Sequence, residues 1–304
     1  MVKAIKNKKI VVVFFKMIAF IVLLYFLYQT LKKVDWNFHS DPIKSYFWLV
    51  LAFSLIPLNW FFEWKKWQET LCFTSLETTD QRAFQSFCAG IITGMLTPNM
   101  QGNFIGRIYY FERKNRIDLI GSTLISNYGQ FLMSLLFGVL GLVFLQETPL
   151  RQGFYLVLFI FLIALLLFLL AFFSVEHFSR FFRNKRGLHT YFLKLKSKPS
   201  FRWRILYFSF LRYLVFVVQF CTLLLAFGVP FSIELIAWIF QVYLWVTISP
   251  SLFLGKLAIR ESISLWVLSF AGLAQQSILF ASLSVWVFNL FIPTIFAIFI
   301  AKKK

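Results

Sequence analysis

The sequence predicts an all-α, polytopic integral membrane protein, a single transmembrane domain over 1–304 with about six full spans and two re-entrant hairpins. Three observations favour this fold class. Hydrophobic residues make up 60% of the chain and charged residues only 14%, whereas soluble domains average roughly 45–50% apolar and 25% charged residues. The apolar residues lie in runs of about 20, the length that an α-helix needs to cross a bilayer. Two further runs break at a proline in the same way.

The long apolar runs give the predicted spans. The first run follows several lysines, but it is too long for a secretory signal peptide and no small-residue cleavage site follows it, so we interpret it as an uncleaved span. The six predicted spans cover roughly 11–31, 43–62, 117–145, 153–173, 204–227 and 273–300.

Lysine and arginine set the predicted orientation, because they accumulate in cytoplasmic loops. The segment 174–204 holds nine lysines and arginines against the single acid Glu176, so we expect a basic cytoplasmic loop there. The stretch "EWKKWQET" after the second span is predicted to be a cytoplasmic loop as well. We expect a multi-pass protein of the cytoplasmic (inner) membrane with both termini in the cytoplasm.

The same rule predicts the two hairpins. If 83–106 crossed the membrane fully, the basic stretch "RIYYFERKNR" after it would lie outside and every later loop would be inverted. We therefore expect 83–106 to enter and leave on the cytoplasmic side, and 233–272 to enter and leave on the outer side. The segment 32–173 with its hairpin and the segment 205–301 with its hairpin then form an inverted-topology repeat.

Each hairpin carries a similar break, "TPNMQGNFIGR" in the first and "SPSLFLGKLAIR" in the second. A residue before proline disfavours helical backbone, and glycine permits a sharp return. Broken backbone at membrane depth is tolerated only inside protein or against a water-filled cavity. The predicted hairpin-breaking residues are Thr97, Pro98, Gly102, Gly106, Ser249, Pro250 and Gly255.

Charged residues beside the breaks are the candidate substrate-binding residues, namely Arg107, Lys256, Arg260 and Glu261. Guanidinium groups match the oxygens of phosphate and carboxylate, so the sequence predicts a polar cavity for an anionic head group. Simpler interpretations stay open. Arg107 would merely begin a cytoplasmic basic cluster, Arg260 and Glu261 would form a structural pair, and the breaks would be ordinary proline kinks. Arg212 would snorkel or find a local partner.

Composition and residue spacing also argue against nucleic-acid binding, metal binding and cofactor-dependent catalysis. The net charge of +19 could indicate nucleic acid, but in a membrane protein it marks cytoplasmic loops that meet anionic lipid, so no nucleic-acid partner is predicted. Three scattered cysteines and three loop histidines lack metal-ligand spacing. Because no cofactor or phosphate-cradling motif occurs either, we predict no cofactor, no metal site and no catalytic residue.

At the two breaks the sequence resembles the lysylphosphatidylglycerol synthase transmembrane-region family, a flippase-like group. The first signature corresponds to Pro98, Gly102, Asn103 and Arg107, and the second to Pro250, Gly255, Arg260 and Glu261. Asn103 replaces the usual acid, and Lys256 and Ala258 stand where glycines are common. The chain ends at Lys304 after its last span, so we expect a stand-alone member that lacks the aminoacyl-transferase domain.

The resemblance implies that the protein translocates or handles an anionic lipid or a lipid-linked substrate, with membrane lipids as its partners. Two alternatives remain at this stage. One is a membrane-embedded transferase, for which Glu261 is the candidate base. The other is an accessory subunit of a lipid- or glycan-modifying enzyme, which would present 174–204 to a protein partner. The sequence indicates neither the head group, the direction and energy source of transport, nor the oligomeric state.

Overall fold

The computed structural model describes residues 43–97, 102–145, 154–174, 186–249 and 257–301, together with Tyr25, Tyr28 and Lys32. The first predicted span, 11–31, lies outside the described residues apart from two of these positions. Four of the predicted break and site residues also lie outside the described residues, namely Pro98, Pro250, Gly255 and Lys256. Every regular element in the described residues is helical, which confirms the predicted fold class.

Five helices are long and apolar enough to cross a membrane, and they coincide with five predicted spans. They are α1 (Tyr46–Thr74), α4 (Arg116–Phe144), α5 (Phe154–Phe173), α7 (Pro199–Ala226) and the C-terminal helix Gln275–Ile300. The last one consists of α10 (Gln275–Trp286), one π-helical turn (Val287–Phe291) and α11 (Ile292–Ile300). The protein is thus a multi-pass membrane protein.

The first predicted hairpin is formed by α2 (Asp80–Met95) and α3 (Asn103–Ile108). Thr79 caps α2 by accepting the Arg82 N–H at 3.3 Å. The chain returns along α2, because Gly102 meets Thr97 near the turn whereas Gly106 meets Ala89 further along. This antiparallel packing excludes an ordinary proline kink. The apolar residues around it include Trp67, Phe87 and Phe111.

The second predicted hairpin is formed by α8 (Ile233–Ile248) and α9 (Leu257–Ser269). Ring contacts show that α9 also runs back along its partner: Trp245 packs on Trp266 with centroids 5.6 Å apart, and Trp238 stacks on Phe270 at 6.4 Å. Both breaks therefore separate two packed helices, and neither is a kink within one helix. Whether the two hairpins are re-entrant in the membrane stays a prediction.

Two segments that were predicted as loops contain helices, and their cytoplasmic placement stays a prediction. The stretch "EWKKWQET" continues α1, and its Glu63 and Lys66 are buried rather than solvated. The segment 174–204 contains the amphipathic helix α6 (Arg186–Ser197) and the start of α7. Helix α6 buries Tyr191 and Leu195, and Lys194 donates to the carbonyl of Thr74 at 2.9 Å. This helix is therefore tied to the end of α1.

Candidate functional site

A cavity of about 270 Å³ lies between the two hairpins and the long helices. Among the described residues, its charged lining residues are Arg107 from α3, Arg212 from α7, Arg260 from α9 and a single carboxylate, Glu63 from α1. Its polar lining residues are Asn59, Asn103, Gln130, Ser134, Tyr213, Tyr243, Thr247 and Asn289. The two arginines predicted from the separate breaks thus meet at one cavity, although 153 residues of sequence separate them.

Glu63 is the centre of the charge arrangement. Its Oε1 accepts a hydrogen bond from Arg107 Nη2 at 2.8 Å, and its Oε2 accepts one from Arg212 Nη1 at 2.8 Å. The Lys66 ammonium lies 3.3 Å from the same Oε2. The side chains of Lys66 and Arg107 are only 1% and 2% exposed. One carboxylate is therefore shared by three cations inside the protein.

Arg107 is held by aromatic rings as well as by Glu63. Its guanidinium lies over the ring of Trp67 at 4.9 Å and over that of Phe87 at 5.6 Å, both distances suited to cation–π attraction. A Cβ built on Gly90 would come within 2.6 Å of Arg107 Cγ, so the glycine makes room for this side chain. The simpler interpretation of Arg107 as the start of a solvated basic cluster is wrong.

The turn of the first hairpin is held by two threonine hydroxyl groups, one in α2 and one just after its end. Thr97 Oγ1 accepts the Gly102 N–H at 2.7 Å, and Thr93 Oγ1 accepts the Gly106 N–H at 3.2 Å. The backbone of Gly102 has φ −73°, so its role is close approach rather than an unusual dihedral angle. Because Thr93 and Thr97 supply acceptors for the amides of Gly106 and Gly102, the short helix that carries Arg107 is held in place at its start.

A chain of amides extends from the charged cluster. Arg212 Nε donates to Asn59 Oδ1 at 2.8 Å, and Asn59 donates to Asn289 Oδ1 at 2.5 Å. Asn289 in turn donates to Gln219 Oε1 at 2.6 Å. Asn289 lies in the π-helical turn, an irregularity that often occurs at functional sites. The network thereby ties α1, α7 and the C-terminal helix to the same cavity.

Arg260 and Glu261 have different surroundings. Arg260 lines the cavity, and its Nε lies 3.7 Å from Glu261 Oε1. Glu261 does not line the cavity. It is 2% exposed and accepts a hydrogen bond from Ser282 of α10 at 3.3 Å. Ser249 ends α8 with an extended backbone, as predicted for a residue that precedes proline.

Sequence reasoning missed three charged residues of the site, namely Glu63, Lys66 and Arg212, although each had a signal in the sequence. Arg212 lies mid-way along an apolar span, where an ionisable residue marks a functional site by default. Its partner Glu63 is 149 residues away, so the interpretation as snorkelling or locally paired is wrong. Glu63 and Lys66 follow an apolar run with no glycine or proline between, which favours a helix that continues.

Comparisons with known proteins agree with this architecture. The family model described as "Lysylphosphatidylglycerol synthase TM region" matches residues 10–297, which is nearly the whole chain. No curated protein and no solved structure matches it. The match includes both hairpins and every charged residue of the cavity. The chain belongs to the lysylphosphatidylglycerol synthase transmembrane-region family.

Proposed function

We propose that the protein translocates an anionic lipid, or handles the anionic head group of a lipid-linked substrate, through the cavity between its hairpins. The observation that carries this proposal is the lining itself, in which three arginines stand against one carboxylate. Arginine in hydrocarbon normally faces the protein interior or a water-filled cavity and has a partner. An anionic head group supplies that partner, while its acyl chains stay in the bilayer.

The surroundings of the cavity support binding better than acid–base chemistry. Glu63 is the only carboxylate that lines it within the described residues, and both of its oxygens accept hydrogen bonds from arginines. Two arginines therefore already occupy both oxygens of this carboxylate. Glu261, the base required by the transferase alternative, does not line the cavity. The geometry therefore favours a lipid-handling role.

The predicted inverted repeat supplies a mechanism for this function. Each hairpin contributes one arginine to the cavity, Arg107 from the first and Arg260 from the second. We propose that the hairpins enter the membrane from opposite faces and that relative motion of the two repeats exposes the cavity to each side in turn. The charged cluster would then release the head group on either face.

Lipid movement in proteoliposomes tests the proposal. Vesicles would contain phosphatidylglycerol or phosphatidylcholine labelled with a fluorophore on an acyl chain, and a membrane-impermeant reductant would quench the outer leaflet only. With wild-type protein we expect quenching of the anionic lipid to exceed one half, and with Arg260→Ala we expect the transport rate to fall at least tenfold.

The control is Arg204→Ala, because Arg204 is 58% exposed and pairs only with Glu69 at the surface in the described part of the chain. This variant should transport as the wild type does. Quenching that stops at one half for every lipid, with folded wild-type protein incorporated, would contradict the proposed translocation.

A further inference from the structure

The cavity carries more positive than negative charge. Around Glu63 the three cations Lys66, Arg107 and Arg212 surround one carboxylate, which leaves two positive charges. Arg260 and Glu261 form a neutral pair. The sum over these six groups, all from the described residues, is therefore two positive charges. Uncompensated charge inside a protein is costly, and a bound counter-ion of equal and opposite charge removes that cost.

Several buried donors at the cavity have no hydrogen-bond partner within the described part of the chain. They are Arg107 Nε, Arg260 Nε and Nη2, and the hydroxyl group of Tyr213. Both arginine side chains are at least nine-tenths buried, and Tyr213 is 1% exposed. Unsatisfied buried donors are rare in native proteins and call for an acceptor. These donors come from α3, α9 and α7, and all three residues line the cavity.

We propose that the group held here is a dianion, namely the phosphate monoester of a lipid, rather than a phosphodiester. A phosphate monoester carries close to two negative charges above its second pKa of about 6 and offers three acceptor oxygens. A phosphodiester carries one charge, so it neutralises only half of the excess. The assignment to a lipid rests on the proposed function, whereas the dianion follows from the charges and donors.

The size of the cavity agrees with this ligand. Its volume of about 270 Å³ is just below the range of about 300–1,000 Å³ that is typical of pockets for drug-sized ligands. A phosphate group fits in this space. The volume of the cavity is therefore compatible with a small, doubly charged terminus.

Binding to purified full-length protein in phosphatidylcholine nanodiscs tests the dianion. The probes are dioctanoyl phosphatidic acid, dioctanoyl phosphatidylglycerol, inorganic phosphate and pyrophosphate, measured by calorimetry at pH 8. We expect phosphatidic acid to bind at least tenfold more tightly than phosphatidylglycerol. This preference should shrink at pH 5.5, where the phosphate monoester takes up its second proton. Equal affinity for phosphatidic acid and phosphatidylglycerol at pH 8 would contradict the proposal that the site holds a dianion.

The remaining arms separate a lipid from a free phosphate. Inorganic phosphate and pyrophosphate lack acyl chains, so we expect both to bind more weakly than phosphatidic acid. If inorganic phosphate bound as tightly as phosphatidic acid, the dianion would stand, but a free phosphate rather than a lipid would be its source. If pyrophosphate, which carries more than two negative charges at pH 8, bound more tightly than both, the proposed preference for a dianion would be contradicted. Arg260→Gln removes one positive charge and should abolish at least nine-tenths of the preference, while Arg204→Gln should leave it unchanged.

The outcomes for this inference and for the proposed function are distinct. Translocation of phosphatidylglycerol with no preference for phosphatidic acid in binding would leave the translocase in place and overturn the dianion. A tenfold preference for phosphatidic acid in binding, with no translocation of either lipid, would support the dianion and contradict the translocase. Should Arg260→Gln fail to fold, Arg260→Lys keeps the charge, and we expect it to retain the preference.

Discussion

At the scale of single residues, Glu63 balances part of the positive charge of the cavity. A buried carboxylate that accepts from Arg107 and Arg212 at 2.8 Å each is the internal counter-ion of a basic site. It occupies one guanidinium nitrogen of each arginine. An anionic head group that enters the cavity can use the remaining donors, or it can displace Glu63 from them. We therefore expect the carboxylate both to stabilise the cationic cluster and to compete with an anionic head group for the arginines.

Glu63→Gln should destabilise the protein strongly. Removal of one partner from a buried charge pair costs about 3–5 kcal/mol, because the remaining charges stay buried without compensation. The measurement is the free energy of unfolding in mixed micelles. We further expect added phosphatidic acid to stabilise this variant more than it stabilises the wild type.

The matched control is Glu69→Gln, which removes the exposed pair with Arg204 at 3.2 Å. Surface pairs contribute about 0–1 kcal/mol, so this variant should lose at most that much. Similar losses for the two variants would contradict the role of Glu63 as the counter-ion of a buried cluster.

At the scale of elements, the first hairpin depends on close contact between α2 and α3. A Cβ built on Gly106 would lie 2.2 Å from the carbonyl oxygen of Ala89, which is backbone and cannot turn away. Gly90 faces the side chain of Arg107 from the other helix. Small residues at such crossings let helices in membranes approach closely. The position of Arg107 therefore depends on two glycines.

Gly106→Ala should force α2 and α3 apart and displace Arg107 from Glu63. Overpacking of this kind typically costs about 1–3 kcal/mol. We expect at least that loss of stability, together with weaker binding of anionic lipid in the nanodisc assay. Ile105→Ala is the control, because Ile105 precedes Gly106 in the same short helix and is 52% exposed. Wild-type stability and binding in Gly106→Ala would show that the contact is not needed.

The elements that could be predicted are those that a local pattern determines. Apolar runs gave five described spans, and α2 and α8 end at Met95 and Ile248, shortly before Pro98 and Pro250 in the sequence. The continuation of α1 was not predictable from loop charges, because Lys66 resembles a cytoplasmic lysine until its partner is known. Helix α6 was missed because nine basic residues in 174–204 suggested a solvated loop. The charged cluster could not be predicted, since Glu63, Arg107 and Arg212 are far apart in sequence.

At the scale of the whole molecule, the orientation of the chain stays a prediction. Positive loop charge places the region around α6 in the cytoplasm and the turn between α7 and α8 outside. Helix α7 separates the two, and its 28 residues span about 42 Å at 1.5 Å per residue. Single-cysteine labelling can therefore test the orientation at both ends of one helix.

Lys198→Cys and Phe231→Cys, each in a chain whose three cysteines are replaced by serine, give this test. Position 198 is exposed at the start of α7, and Phe231 is 62% exposed beyond its end. We expect a membrane-impermeant maleimide to label position 231 in intact cells and position 198 only after permeabilisation. The reverse pattern would contradict the predicted topology and the placement of the first hairpin on the cytoplasmic side.

The most direct test of the central claim, that the basic cavity holds the anionic head group, is photocrosslinking. A short-chain phosphatidic acid with a diazirine next to its glycerol would be added to the wild-type protein in nanodiscs, and mass spectrometry would locate the adducts. We predict adducts on cavity residues such as Gln130, Ser134 and Tyr213, suppressed by excess unlabelled lipid and lost in Arg260→Gln. Adducts confined to lipid-facing residues such as Phe159, which is 60% exposed on α5, would contradict it.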